Sequence, residues 1–192
     1  MKIEATALDG VFVIEPKVFP DSRGYFMETH HLDKYRAQGI GQSFVQDNLS
    51  YSVRGTLRGL HYQLKNPQAK LIQTVAGRIY DVAVDIRTGS PTFGQWVGLE
   101  LSADNHRQLF VAEGFAHGFC VTSESALVTY KCSGFYDPAD EGGVLWSDPA
   151  LSINWPDSDP ALISDKDRSY PPLAEIPPEK LPKHPLPDQA GG

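Results

Sequence analysis

Short stretches in which apolar and polar residues alternate, separated by Gly and Pro turns, run from residue 10 to residue 133. The clearest is 78–87 (RIYDVAVDIR), where Ile79, Asp81, Ala83 and Asp85 fall on one face and Tyr80, Val82, Val84 and Ile86 on the other. Residues 10–18 (GVFVIEPKV) predict a strand, with β-branched Val11, Val13 and Val18 suited to a sheet and Pro16 pointing to an edge position. Pro20, Asp21, Ser22 and Gly24 then supply turn chemistry, and a returning strand is expected over 25–29. A short helix is expected over 32–38, stopped by Gly39, and extended structure resumes over 43–51. Gly55 and Gly59 punctuate the next run, and Asn66-Pro67 reads as a hairpin-like connection to a strand over 70–75, making an apparent two-strand unit. Further strands are expected over 95–101, 108–111, 118–122 and 126–133. Helical periodicity is almost absent, so the fold class is all-β. The pattern fits an antiparallel sandwich or barrel, and best the two-sheet jelly roll, with short peripheral helices.

Composition narrows this picture. At 192 residues with 41% hydrophobic and 21% charged residues, the chain suits one soluble domain, here 1–170. Residues 171–192 carry seven prolines and a terminal Gly-Gly in place of an apolar pattern, which predicts an extended tail, packed on the surface or partly disordered. No apolar run approaches the roughly 20 residues that span a bilayer, and the N-terminus MKIEATALDG lacks an apolar signal core, so a cytoplasmic protein is expected. Cys120 and Cys132 are too few for a disulfide framework and are read as reduced structural residues. The formal charge of -7 argues against general nucleic-acid binding.

Charge is unevenly spread. From residue 48 to residue 80 there is no Asp or Glu, while Arg54, Arg58, Lys65, Lys70 and Arg78 make a positive island that suggests a bound anion. His61 lies inside the island, two residues before Gln63, and strand spacing puts both side chains on one face. Arg58 is three residues earlier, which an ideal strand would send to the other face; either Gly59 introduces a bulge or Arg58 serves another surface. His117 lies between glycines in GFAHGF, where backbone can approach a ligand closely. A metal shared by His61 and His117 lacks a third and fourth ligand, so no metal is expected. Tyr130 would point from its strand with Val128 and Cys132, as core tyrosines commonly do, and DKDR at 165–168 has the look of a solvated turn. His30, His31, His106 and His184 are assigned no role.

Several ordered motifs together carry a resemblance: DSRGYFME (21–28), QDN (46–48), RGTLRGLHYQ (54–63), DIRTGSPTFG (85–94), GFAHGF (114–119), Tyr130-Lys131 and SDKD (164–167). From about residue 10 to 170 the chain resembles the dTDP-4-dehydrorhamnose 3,5-epimerase family of the cupin superfamily. The resemblance implies a cupin-like barrel and a dTDP-4-keto-6-deoxyhexose substrate. It implies no cofactor, because the C4 ketone itself acidifies the hydrogens on C3 and C5. It makes His61 the base, Asp167 its hydrogen-bonded partner, Tyr130 the acid and Lys70 the neighbour of the ketone oxygen. Arg23, Phe26, Glu28, Gln46, Asn48, Arg58, His117, Tyr136, Glu141 and Lys166 match positions that contact nucleotide or sugar. A homodimer is implied, with residues around Arg23 to Glu28 reaching the partner's site, and a product destined for cell-surface polysaccharide. Alternatives are an enzyme inverting C3 or C5 alone, a metal-dependent cupin oxygenase and a non-catalytic sugar-binding module.

Overall fold

The computed structural model describes residues 1–156 and 158–185; the expectation of an extended tail over 186–192 lies outside the described residues. The first strands are β1 (Lys2–Ala5), β2 (Val11–Glu15), β3 (Val18–Asp21) and β4 (Gly24–Met27), followed by helix α1 (Leu32–Arg36). Then come β5 (Gln46–Val53), β6 (Leu57–Gln63), β7 (Lys70–Ala76), β8 (Arg78–Asp85) and β9 (Trp96–Ser102). The remaining strands are β10 (Gln108–Val111), β11 (Phe115–Val121), β12 (Ser125–Cys132) and β13 (Glu141–Gly143), and helix α2 (Asp165–Ser169) follows them.

Two sheets face each other. One runs β1-β2-β10-β7-β12-β5 and the other β13-β6-β11-β8-β9, while β3 and β4 form a separate hairpin. From β5 to β8 and again from β9 to β13, successive strands step from one sheet to the other, which is the jelly-roll path. Consequently β6 and β7 are not a hydrogen-bonded pair, and the expected hairpin at 66–67 is a crossover between sheets. Asn66 and Pro67 mark a turn, but turn residues alone do not say which strand the chain pairs with next. The expected edge at 10–18 is also corrected. β2 lies between β1 and β10. Pro16 falls just past its end, where its missing N–H costs the ladder nothing.

The facing sides of the sheets enclose Ile72, Ile79, Ala83, Leu109, Phe119 and Val128. Behind the five-stranded sheet lies a second cluster in which Leu60, Val82, Val84 and Ile86 meet Trp155, Leu173, Ile176 and Leu181. Both faces of β8 are therefore covered, the outer one by chain from the proline-rich stretch. Tyr62 adds a hydrogen bond there, its hydroxyl donating to the Lys180 carbonyl at 3.0 Å. A third cluster places Tyr35 of α1 and Ile40 over Ile14, Leu71 and Phe110 on the back of the six-stranded sheet.

Candidate active site

A pocket of about 760 Å³ opens between the two sheets. Its walls form because inward positions near one end of the barrel carry polar groups: Gln46 and Asn48 of β5, Arg58 and His61 of β6, Lys70 of β7, His117 of β11 and Tyr130 of β12.

Gly59 determines how β6 presents them. The β6–β11 register shifts here, with His117 opposite His61 but Phe119 opposite Arg58. This bulge absorbs one residue and puts Arg58 on the pocket side with His61. Gly59 has φ +129, and a Cβ there would lie 2.5 Å from Gly118 Cα, so only glycine fits. Its N–H donates to Asp167 Oδ2 at 3.3 Å.

Asp167 binds the imidazole with its other oxygen, His61 Nε2 lying 2.7 Å from Asp167 Oδ1. The carboxylate sits on α2, whose Ser164 caps the helix by accepting from the Asp167 N–H at 3.1 Å. Burial pushes the Asp167 carboxyl pKa up, but the His61 hydrogen bond and charge outweigh this and hold it below the usual value. An ionised carboxylate only accepts, so Nε2 carries the proton and a neutral His61 keeps its Nδ1 lone pair as a base. The sequence expectation of a solvated turn at 165–168 is thus corrected: Asp167 is 3% exposed.

Tyr130 and Lys70 come from the opposite sheet. Burial raises the Tyr130 phenol pKa, which keeps it a proton donor at neutral pH. Burial lowers the Lys70 pKa, partly offset by Cys132, Asp81 and Glu141 nearby. His117 gives Nε2 to Asp81 Oδ1 at 2.8 Å, and Asp81 is fully buried with Oδ2 unpartnered. Among the described residues no group of three or more His, Cys, Asp or Glu is arranged to hold a metal ion.

The mouth is polar and linked. Glu141 Oε2 accepts from Lys166 Nζ at 2.8 Å and from the Tyr136 hydroxyl at 3.1 Å. Gln46 accepts from the Tyr136 N–H at 2.9 Å and donates to Asn48 at 3.0 Å, while Arg58 Nε donates to Ser52 at 3.0 Å. Arg23, Phe26 and Glu28 do not line this pocket. Arg23 pairs with Asp21 and Glu28 with Lys34, and Phe26 is 69% exposed. The positive island also divides. Arg58 and Lys70 enter the pocket, whereas Arg78 faces Glu100 at 3.4 Å. Sequence reasoning did not find Ser52, Asp81, Thr56 or Gln68, because only tertiary contact brings them to the site.

Comparison with known proteins agrees with this geometry. The family profile described as dTDP-4-dehydrorhamnose 3,5-epimerase matches residues 5–175. The dTDP-4-dehydrorhamnose 3,5-epimerase of Shigella flexneri is 53% identical over 169 residues, 87% of this chain and 93% of that protein. The dTDP-4-dehydrorhamnose 3-epimerase of Streptomyces niveus is 43% identical over 178 residues, 91% of this chain and 85% of that one. A crystal structure of the Legionella pneumophila dTDP-6-deoxy-D-glucose-3,5-epimerase in complex with dTDP-4-keto-L-rhamnose superposes with a TM-score of 0.92 at 47% identity, covering 95% of this chain and 98% of that one. Sequence, barrel and pocket converge, and the chain belongs to the dTDP-4-dehydrorhamnose 3,5-epimerase family.

Proposed function

We propose that this chain inverts C3 and C5 of dTDP-4-dehydro-6-deoxy-D-glucose to give dTDP-4-dehydro-L-rhamnose, by proton transfer without a cofactor. The observation that carries this is the division of labour between sheets: a carboxylate-held imidazole on β6 faces the pocket that a half-buried phenol enters from β12. His61 Nδ1 takes the proton from the carbon next to the ketone. The C–H pair becomes the enolate π bond, and the carbonyl pair moves to oxygen. Lys70 lies near that oxygen and offsets its charge, an effect worth about 10² to 10³ in rate by analogy with an oxyanion hole. The Tyr130 hydroxyl returns a proton from the other side of the ring as the enolate pair re-forms the ketone, inverting the centre. The phenolate is then reprotonated from solvent, and His61 gives up its proton to solvent before the second carbon is inverted.

Arg58 clamps the diphosphate with its guanidinium fork. Gln46, Asn48, His117, Tyr136, Glu141 and Lys166 contact the nucleotide and sugar. Inversion at both carbons is favoured over C3 alone because the 3,5-epimerase of Shigella flexneri is nearer in sequence, at 53% identity, than the 3-epimerase of Streptomyces niveus at 43%. The test is incorporation of solvent deuterium into C3 and C5. His61→Ala is expected to abolish it at both carbons, and near-normal incorporation would sink the base assignment. Tyr130→Phe is expected to lose product faster than it loses exchange; equal loss would remove the acid role.

The working unit is a homodimer, in which the β3–β4 hairpin brings Arg23, Phe26 and Glu28 to the partner's pocket. Support comes from β5, which turns Asn48, Ser50 and Ser52 inward and leaves Leu49, Tyr51 and Val53 at 66%, 61% and 46% exposure. An apolar outer face of this kind suits a partner subunit. Sedimentation of Leu49→Glu should give a monomer, and an unchanged mass would exclude this face. The setting we propose is the cytoplasm, where the product would supply cell-surface polysaccharide synthesis. Cell fractionation that found it elsewhere would contradict that placement.

A further inference from the structure

We infer that Tyr170 is a positioning residue for His61: its ring closes the space behind the imidazole and fixes the angle at which the base meets the substrate. The inference rests on His61 being the base. Tyr170 follows α2 directly as its C-terminal cap, so the element that delivers Asp167 also delivers this ring. The two rings meet nearly at right angles, 70° between planes and 5.9 Å between centroids, a favoured aromatic arrangement. Tyr170 forms no part of the pocket wall, so it touches the imidazole from outside the substrate space.

The slot that holds it is built for a ring. Gly143 of β13 is the register partner of His61, and a Cβ at Gly143 would fall on the Tyr170 ring. The next residue is held too, the Leu145 N–H donating to the Pro171 carbonyl at 2.9 Å. Burial, with Glu141 and Asp167 close by, pushes the Tyr170 phenol pKa upward, so the ring is a neutral wall beside the His61–Asp167 pair. Asp167 restrains one nitrogen of His61 but leaves the imidazole able to swing about that hydrogen bond. The Tyr170 ring blocks the swing.

Removing a wall of this kind misplaces a reacting atom without weakening ground-state binding, which can cost 10²-fold for a displacement of about 1 Å. Tyr170→Ala is expected to lower kcat about tenfold, with KM within about twofold of the parent and with Asp167 still present. Tyr170→Phe should restore kcat to within about twofold, because the ring and not its hydroxyl does the positioning. Gly143→Ala, which displaces the ring, should reproduce the Tyr170→Ala kinetics. Circular dichroism and the melting midpoint accompany each variant, and Tyr170→Leu provides a bulkier second truncation.

Wild-type kcat in Tyr170→Ala, equal loss in Tyr170→Phe, or unfolding of both Tyr170→Ala and Tyr170→Leu would overturn the inference. His61→Ala is assayed alongside for deuterium exchange. If that variant still exchanges, the base assignment itself has failed. If it is inert while Tyr170→Ala is unimpaired, only the positioning role has.

Discussion

Two imidazoles lie opposite each other in the β6–β11 pairing, and each gives Nε2 to a buried carboxylate. Their carboxylates differ in what else they hold. Asp167 is used at both oxygens, by His61 and by the Gly59 N–H, whereas Asp81 Oδ2 has no partner. Asp167 therefore sets both the tautomer of His61 and the shape of the β6 bulge. Asp167→Asn keeps the size but can offer its NH₂ in place of an acceptor, which favours the wrong tautomer. We expect kcat to fall by roughly 10² or more, with dTDP affinity changed little, as steady-state kinetics and calorimetric titration would reveal. At this scale the sequence announced residue types and not distances. His61 and Lys70 were legible from the acid-free run around them. That Asp167 meets His61 was legible only through the family resemblance of the SDKD motif and not from spacing or periodicity, because 106 residues separate the two and DKDR looks like any charged turn.

Alternation along the chain was legible where one face of a strand is buried and the other is not, which imposes period two; β8, covered on both faces, shows it because Asp81 and Asp85 are buried polar residues on one face. The reading failed where that constraint is weak. β1 and β13 are three or four residues long, too short to show a period. The bulge at Gly59 stood as one of two readings of the Arg58 spacing, and the register shift against β11 decides between them. It also yields a prediction: Gly59→Ala adds a Cβ 2.5 Å from Gly118 Cα at φ +129 and should cost at least about 2 kcal/mol in urea unfolding, with activity lost in step. The turn after β8 is the other element with a measurable signature. Asp85 accepts from the Arg87 guanidinium at 2.8 and 2.9 Å and from the Ser90 and Thr92 hydroxyls at 2.6 Å each. Burial alone would raise its pKa; these bonds prevail and depress it to about 2 from 3.8. Between those values the native state binds fewer protons than the unfolded chain. The stabilisation, on the order of 2 kcal/mol, is therefore complete above the unfolded pKa and disappears as pH falls toward 2. Asp85→Asn should lower the melting midpoint at pH 7 and flatten its fall between pH 4 and pH 2 in calorimetric scans.

Across the whole molecule, the jelly roll was legible from strand spacing, while the sheet crossovers were not, since a turn signal carries no partner. Nor did prolines reveal that residues 171–185 cover the back of the five-stranded sheet. Leu173, Ile176 and Leu181 are spaced among Pro and charged residues without a period, yet they are 5%, 6% and 4% exposed. Burying three such side chains is worth about 5 to 9 kcal/mol, comparable with the total stability of a domain. Ending the chain at Tyr170 should therefore yield protein that melts far below the full chain or fails to stay soluble, as differential scanning fluorimetry would register. The same placement bears on how the chain is made. Translation releases the N-terminal portion first, so every strand has emerged while Val82 and Val84 of β8, with the adjoining Ile86, still await the part of their cover that Leu173, Ile176 and Leu181 supply. A ribosome stalled before residue 167 would hold a chain whose apolar sheet has Trp155 and Ile163 but not Leu173, Ile176 and Leu181 over it, attractive to chaperones, and a histidine with no carboxylate to orient it.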